Sequence, residues 1–217
     1  MTVSHVLFDA DGVLQETPGG WYAAMEPYLG ERSREFLHAT WSDEMPFLAG
    51  TSGDFLPFLA DALAAYGVTA PADVVYDEVW LRIELVTESI RLVESLRAAG
   101  YGVHLGTNQE RKRGVHMRTA LGYDDLFDVS CYSYDLGVTK PRPEFFVEAA
   151  RRIDAEPAQI LFVDDTAVNV EAARDAGMRA VHWSVERGHE QLLALLAEHG
   201  VGFSPVADPR VTGRSPA

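Results

Sequence analysis

Cysteine is nearly absent from this chain. Its single thiol, Cys131, excludes an internal disulfide framework and any metal site built from several cysteines. With no disulfide to protect, a reducing, cytoplasmic compartment is the expectation. Long apolar runs are absent as well: no stretch approaches the roughly 20 residues that span a bilayer. No basic and apolar leader precedes the first strand-like segment, which fits the same compartment. Positive charge is scarce, with 18 Lys and Arg against 33 Asp and Glu, for a net charge of −15. Such a surface repels nucleic acid and anionic membranes, so neither is an expected partner. Any phosphate site must reverse that sign locally, through a metal ion, a lysine or helix N-termini. Most of the acids read simply as solvated surface.

What is present is size and alternation. At 217 residues and 47% hydrophobic, the chain can bury a sizeable core in one or two domains. Val6-Leu7-Phe8, with Val3 upstream, reads as a short buried strand. From about residue 101 strand and helix patterns alternate. Strands are expected at Val103–Leu105, Val129–Ser133, Ile160–Val163 and Ala180–Trp183. Helices are expected at Gln109–Leu121, Pro143–Ile153, Ala167–Ala176 and Glu186–His199. Pro143 suits a first helical turn and Gly177 a C-cap. This alternation predicts an α/β, Rossmann-like fold, a parallel sheet with helices on both faces. Residues 16–88 break the pattern. They carry helical spacing at Trp21–Leu29, Ser33–Trp41, Ser52–Tyr66 and Asp73–Leu85, show no clear strand, and read as an inserted all-helical cap. Gly19-Gly20 and Val86-Thr87 are the candidate hinges, and a helix over Glu88–Ala99 re-enters the core. The expected division is 1–15 and 89–203 as α/β core, 16–88 as cap, and 204–217 as a frayed tail.

The first strand runs into Asp9-Ala10-Asp11-Gly12. Carboxylates two apart at a strand tip point the same way, and they repel unless a cation or a shared proton sits between them. That suggests a hard metal ion, phosphate chemistry or both; an acidic turn is the plainer alternative. The second strand ends in Gly106-Thr107-Asn108, a hydroxyl and an amide ahead of a helix, able to bind an anion or merely to cap. Lys140, in Gly137-Val138-Thr139-Lys140-Pro141, stands in a stiff loop, either solvated or neutralising carboxylates and a phosphoryl group. Phe162-Val163-Asp164-Asp165-Thr166 repeats the opening theme, with Asn169 in the first turn of the next helix. Sites in such sheets gather at the carboxyl ends of strands, where all four segments fall. Further carboxylates beside the first pair complete an oxygen-rich site suited to Mg²⁺.

In the order Asp-x-Asp, Thr, Lys, Asp-Asp, these segments resemble the four motifs of the haloacid dehalogenase superfamily over nearly the whole chain. Phe-Asp-x-Asp-Gly-Val-Leu at 8–14 and Asp-Asp-x-x-x-Asn-Val-x-x-Ala at 164–173 are specific in this context. The helical insertion resembles the cap of the superfamily's subclass I. The resemblance implies a Mg²⁺-dependent phosphatase in which Asp9 is the nucleophile and forms an aspartyl-phosphate. It implies that Asp11 protonates the leaving oxygen and later takes a proton from water, which needs a carboxyl of raised pKa. Mg²⁺ would be held by Asp9, the Asp11 backbone carbonyl and Asp165, with Asp164 orienting them from behind. Thr107, Asn108 and Lys140 would bind the phosphoryl group, with the backbone amides of Ala10 and Asn108 as further donors. Members that cleave carbon–halogen bonds lack an acid at the position of Asp11, so its presence implies phosphoryl transfer. Asn169 stands where many members carry an aspartate, which leaves its part in positioning Lys140 or the metal open.

Between residues 16 and 90 the cations are Arg32, Arg34 and Arg82 alone, which ill suits a polyphosphate. A small phosphomonoester, such as a sugar phosphate, fits better. Aromatic residues abound there and most belong to the cap's own core; Trp21 and Tyr22, near the hinge, are the better candidates for the site. Arg111-Lys112-Arg113, with Arg118, reads as a solvated helix face that at most steers anions or meets another subunit. Cys131 reads as packing. Two alternatives stand beside the phosphatase: a phosphomutase of the same family, and a non-catalytic binding or regulatory protein on this fold. Monomer and homodimer are both compatible with the sequence.

Overall fold

The buried strand Val6-Leu7-Phe8 lies at the centre of a sheet, with a partner on each side. The computed structural model describes residues 2–202, so the expected tail from residue 204 lies outside the described residues. In chain order the first half comprises β1 (His5–Phe8), β2 (Gln15–Glu16), α1 (Gly20–Leu29), α2 (Ser33–Leu48), α3 (Phe55–Ala65), α4 (Ala72–Val79), β3 (Glu84–Leu85) and α5 (Thr87–Ala98). The second half comprises β4 (Gly102–Thr107), α6 (Arg111–Thr119), α7 (Tyr123–Leu126), β5 (Val129–Tyr132), α8 (Ser133–Leu136) and α9 (Pro143–Ile153). It closes with β6 (Ile160–Asp164), α10 (Ala167–Asp175), β7 (Arg179–His182) and α11 (His189–Glu198). Five strands pair in the order β5-β4-β1-β6-β7, all parallel, with Phe8 in register between Leu105 and Val163.

Period-two alternation assigns the faces. Val6, Phe8, Val103, Leu105, Leu161, Val163 and Val181 share one apolar cluster with Leu92 and Leu96 of α5, Met117 of α6, and Leu192 and Leu196 of α11. Leu7, Ile160, Phe162 and Ala180 share the other with Phe145, Phe146 and Ala149 of α9 and Val170 and Ala173 of α10. This is the doubly covered parallel sheet. Cys131 is fully buried in the second cluster, where burial pushes its thiol up to about 12. Among the described residues no helix is long and apolar enough to cross a membrane.

Helices α1–α4 form the inserted cap and enclose an apolar cluster of their own, including Met25, Phe36, Phe55, Leu59, Val75, Tyr76 and Trp80. Two expectations about this segment are corrected. It does carry strand: β2 and β3 pair antiparallel, Gln15 opposite Leu85 and Glu16 opposite Glu84, where the chain leaves and re-enters the sheet. And the helix expected to run to Leu85 stops at Val79, because the N–H groups of both Trp80 and Leu81 turn back to the Tyr76 carbonyl. In the other direction α2 outruns its expected end at Trp41; Pro46 falls in its last turn, and the Phe47 ring meets Phe55 edge-on at 5.4 Å and lies 5.3 Å from Phe58. The last helix starts later than expected, at His189, after a 3₁₀ turn over Val185–Arg187.

Candidate active site

The carboxyl ends of β1, β4 and β6 and the loop before α9 meet around a cavity of about 280 Å³ lined by Asp9, Asp11, Thr107, Asn108, Lys140, Asp165, Thr166 and Asn169. Lys140 is buried, and its Nζ lies 2.8 Å from Asp9 Oδ1 and 2.7 Å from Asp164 Oδ2. Burial alone would discharge this ammonium; Asp164 and Asp9 outweigh it and hold the lysine pKa above its usual value. Asp9 is raised, by burial first and by the neighbouring Asp164 and Asp165, with Lys140 opposing. The Lys140 loop is fixed from β4: Asn108 Oδ1 accepts from the Lys140 N–H and Asn108 Nδ2 donates to the Lys140 carbonyl, both at 2.9 Å. The expected phosphate ligand Asn108 therefore spends its side chain on clamping the lysine. The Ala10 N–H, another expected phosphate donor, bonds Asp9 Oδ1 at 2.7 Å. The Thr107 hydroxyl is buried and accepts from Gln109 Nε2 at 3.0 Å.

Asp164 is fully buried and saturated with donors: the Thr166 N–H, both contacts from Asn169 Nδ2, and Lys140. Asp165 is more open; burial and Asp164 raise its pKa, and the Thr166 hydroxyl bonds its Oδ1. One oxygen from each of Asp9, Asp164 and Asp165 lies within 4.8 Å of the others. A donor set of carboxylate oxygens alone suits a hard divalent cation such as Mg²⁺. The turn makes room for the Asp165 carboxylate: Gly12 has φ +74°, and a Cβ there would fall 2.5 Å from Asp165 Oδ2.

Asp11 points elsewhere. Arg113 Nη1 bonds its Oδ2 at 2.7 Å and Nη2 its Oδ1 at 2.8 Å, while Gln109 and Gln15 add bonds of 2.8 and 3.0 Å. Burial pushes the Asp11 pKa up, but Arg113 and the two amides more than reverse this and hold it at about 2. The raised pKa expected of a proton donor is absent in this conformation. The expectation for Arg113 is also corrected, since it is 3% exposed and not on a solvated face. The available signal was helical spacing: Met117, four residues on, is buried on the same side of α6. Lys112 and Arg118 are the outward members, paired with Asp77 and with Asp124 and Asp135.

Behind Arg113 lie residues that sequence reasoning did not single out. Glu110 caps α6, accepting from the N–H groups of Lys112 and Arg113, and also accepts a hydrogen bond from the cap hydroxyl of Tyr76. Glu44 of α2 is buried against this group, with its pKa pushed up to about 8 by burial and by Glu110. A larger cavity of about 780 Å³ adjoins Asp11 and Asp165 and runs along β2 and β3. Among the described residues its lining holds six carboxylates, from Asp11, Glu16, Glu84, Glu88, Asp165 and Glu186, and no cation. Trp21 lines it as well; Tyr22 does not, and packs on His38 and Arg34 instead.

A family model described as haloacid dehalogenase-like hydrolase matches residues 3–177. Among curated relatives, pyrophosphatase PpaX of Bacillus cereus strain Q1 is 25% identical over 193 residues, with 86% of each chain covered. The PpaX of Bacillus cereus strain G9842 is 26% identical over 196 residues, again covering 86% of each chain. Among solved structures, a magnesium complex of a HAD family enzyme from Bacteroides thetaiotaomicron gives a TM-score of 0.73 at 19% identity, over 88% of this chain and 98% of that one. The L-2-haloacid dehalogenase from Xanthobacter autotrophicus gives 0.65 at 20% identity, over 89% and 83%. At these identities the two structures speak for a shared fold.

Proposed function

Because the chain belongs to the haloacid dehalogenase-like hydrolases, we propose that it is a Mg²⁺-dependent phosphatase acting on a small phosphomonoester. The observation that carries this reading is one buried ammonium, Lys140, held between Asp9 and Asp164 in the lining of the smaller cavity. In a chain of charge −15, that ammonium offsets part of the carboxylate charge around the site, and a bound Mg²⁺ would supply the rest of the positive charge a phosphate needs. When bound, Mg²⁺ would be held by Asp9, Asp165 and the Asp11 carbonyl, and would screen the repulsion between nucleophile and phosphate. Asp9 attacks phosphorus in line; the bond to the leaving oxygen breaks as the Asp9–phosphorus bond forms. Lys140 and the Thr107 hydroxyl hold the transferred group, and water then releases it from Asp9. Asp164, already saturated, positions Lys140. Asp11 serves the leaving oxygen, in an orientation set by the groups that hold its carboxylate, Arg113 among them. We take β2 and β3 as the joint between the core, 1–15 with 89–203, and the cap, 16–88.

The substrate class follows from charge. A larger cavity ringed by six carboxylates disfavours a polyanionic leaving group and favours a neutral alcohol, such as that of a sugar phosphate. The relatives' name, pyrophosphatase, supports a second reading in which the bond cleaved is a phosphoanhydride. A phosphate-release panel containing pyrophosphate and small monoesters decides between them. Release is expected from monoesters, without a bisphosphate activator, and is expected to stop with EDTA and in Asp9→Asn. Preferential turnover of pyrophosphate selects the second reading, and full activity in Asp9→Asn overturns both.

A further inference from the structure

A guanidinium buried beside carboxylates is tolerated only if its N–H groups find acceptors. Arg113 uses Nη1 and Nη2 on the two oxygens of Asp11, Nη1 also on Gln109 Oε1 at 2.6 Å, and Nε on the backbone carbonyl of Trp80 at 2.7 Å. Its charged end lies 5.2 Å from the centroid of the Trp21 ring. Asp11 belongs to the loop after β1, whereas Trp80 and Trp21 belong to the inserted cap. One planar group thus holds the carboxylate from the core and the cap together, and bidentate geometry leaves neither free to turn alone.

We propose that Arg113 is a positioning residue through which the seating of the cap sets the orientation of the Asp11 carboxylate. With the cap seated, the Trp80 carbonyl and the Trp21 ring fix the guanidinium, and the guanidinium fixes Asp11. A shift of the cap alters both contacts at once and thereby turns the carboxylate toward or away from the leaving oxygen. This rests on the reading that Asp11 serves that oxygen. A lysine keeps the charge at this position but cannot bridge two carboxylate oxygens and a carbonyl.

The test compares two substrates in the presence of Mg²⁺. The leaving group of p-nitrophenyl phosphate departs without a proton; that of glycerol 2-phosphate needs one. In Arg113→Lys, kcat for glycerol 2-phosphate is expected to fall about ten-fold more than kcat for p-nitrophenyl phosphate, with KM little changed for either. Trp21→Leu leaves Arg113 and Asp11 in place and is expected to move the same ratio in the same direction by a smaller factor. It carries the test alone if Arg113→Lys does not fold. Equal losses on both substrates make Arg113 a buried structural cation and overturn the proposal, as does an unchanged ratio. Asp11→Asn keeps the two readings apart. If it spares glycerol 2-phosphate hydrolysis, the assignment of Asp11 is what fails. If it alone shifts the ratio, the assignment stands and the coupling through Arg113 fails.

Discussion

Gly12 carries no side chain because Asp165 occupies the space one would take. Its φ of +74° costs an L-residue about 1–2 kcal/mol, and its Cβ would meet Asp165 Oδ2 at 2.5 Å. Gly12→Ala must therefore strain the turn, push the carboxylate aside, or both. The expected outcome is a folded protein with a lower Tm and a Mg²⁺ requirement for phosphate release raised about ten-fold. An unchanged Mg²⁺ titration would remove Asp165 from the metal. The same saturation logic explains Asn169. Its amide donates to Asp164 at 3.0 and 3.2 Å, on a carboxylate that Lys140 and the Thr166 N–H also serve. An aspartate at 169 would instead set a like charge against Asp164, whereas the amide adds a donor to it.

At the scale of elements, the cap touches the core through the end of α4 on the start of α6. Tyr76 donates to Glu110, the N-cap of α6, and Lys112 lies over the Tyr76 ring. Tyr76→Phe keeps the ring in the cap's apolar cluster and deletes only the hydroxyl. It is expected to cost about 1–2 kcal/mol, read as a lower Tm with the helical circular dichroism unchanged. A loss within error would mean the two helices are held by packing and the Lys112–Asp77 pair, without this hydroxyl. This junction was not legible in the sequence. The five sheet strands and the longer helices beside them, α5, α6, α9, α10 and α11, were, because each repeats an apolar period over enough residues to show it, whereas the four-residue α7 and α8 do not. Strands β2 and β3, of two residues each, are too short to show any period. The end of α4 depends on two N–H groups turning back to one carbonyl, although apolar residues continue to Leu85. Three acidic and hydroxyl segments at the ends of β1, β4 and β6 could be placed together from topology, since a parallel sheet brings its carboxyl ends to one edge, and Lys140, in the loop between α8 and α9, joined them through its place in the order of motifs. Arg113 was harder to place, because what buries it is an aspartate 102 residues away, and the one local signal that separates it from Arg111 and Lys112 is its four-residue spacing from Met117.

At the scale of the whole molecule, folding brings Glu44 of the cap against Glu110, Arg113 and Asp11. The ordinary value of 4.5 rises to about 8, through burial first and Glu110 second; Arg113 and a hydrogen bond from the Trp80 side chain oppose the rise. Between those values the folded chain keeps a proton that the unfolded chain releases. The derivative of unfolding free energy with pH is then negative. Stability is highest with respect to this group below about pH 4.5, falls as pH climbs, and is fully reduced above about pH 8. The span corresponds to a loss of the order of a few kcal/mol. Glu44→Gln keeps the shape and cannot ionise, so its Tm profile should lack this slope. Thermal unfolding from pH 5 to pH 9 is expected to show the variant close to wild type at the acid end and increasingly more stable than wild type toward the alkaline end. The difference between the two curves cancels the general repulsion of a chain of charge −15, which rises with pH in both. Parallel curves would mean that Glu44 is already ionised in the folded protein, paired to Arg113, and the cap would then be seated by an ion pair rather than by a protonated acid.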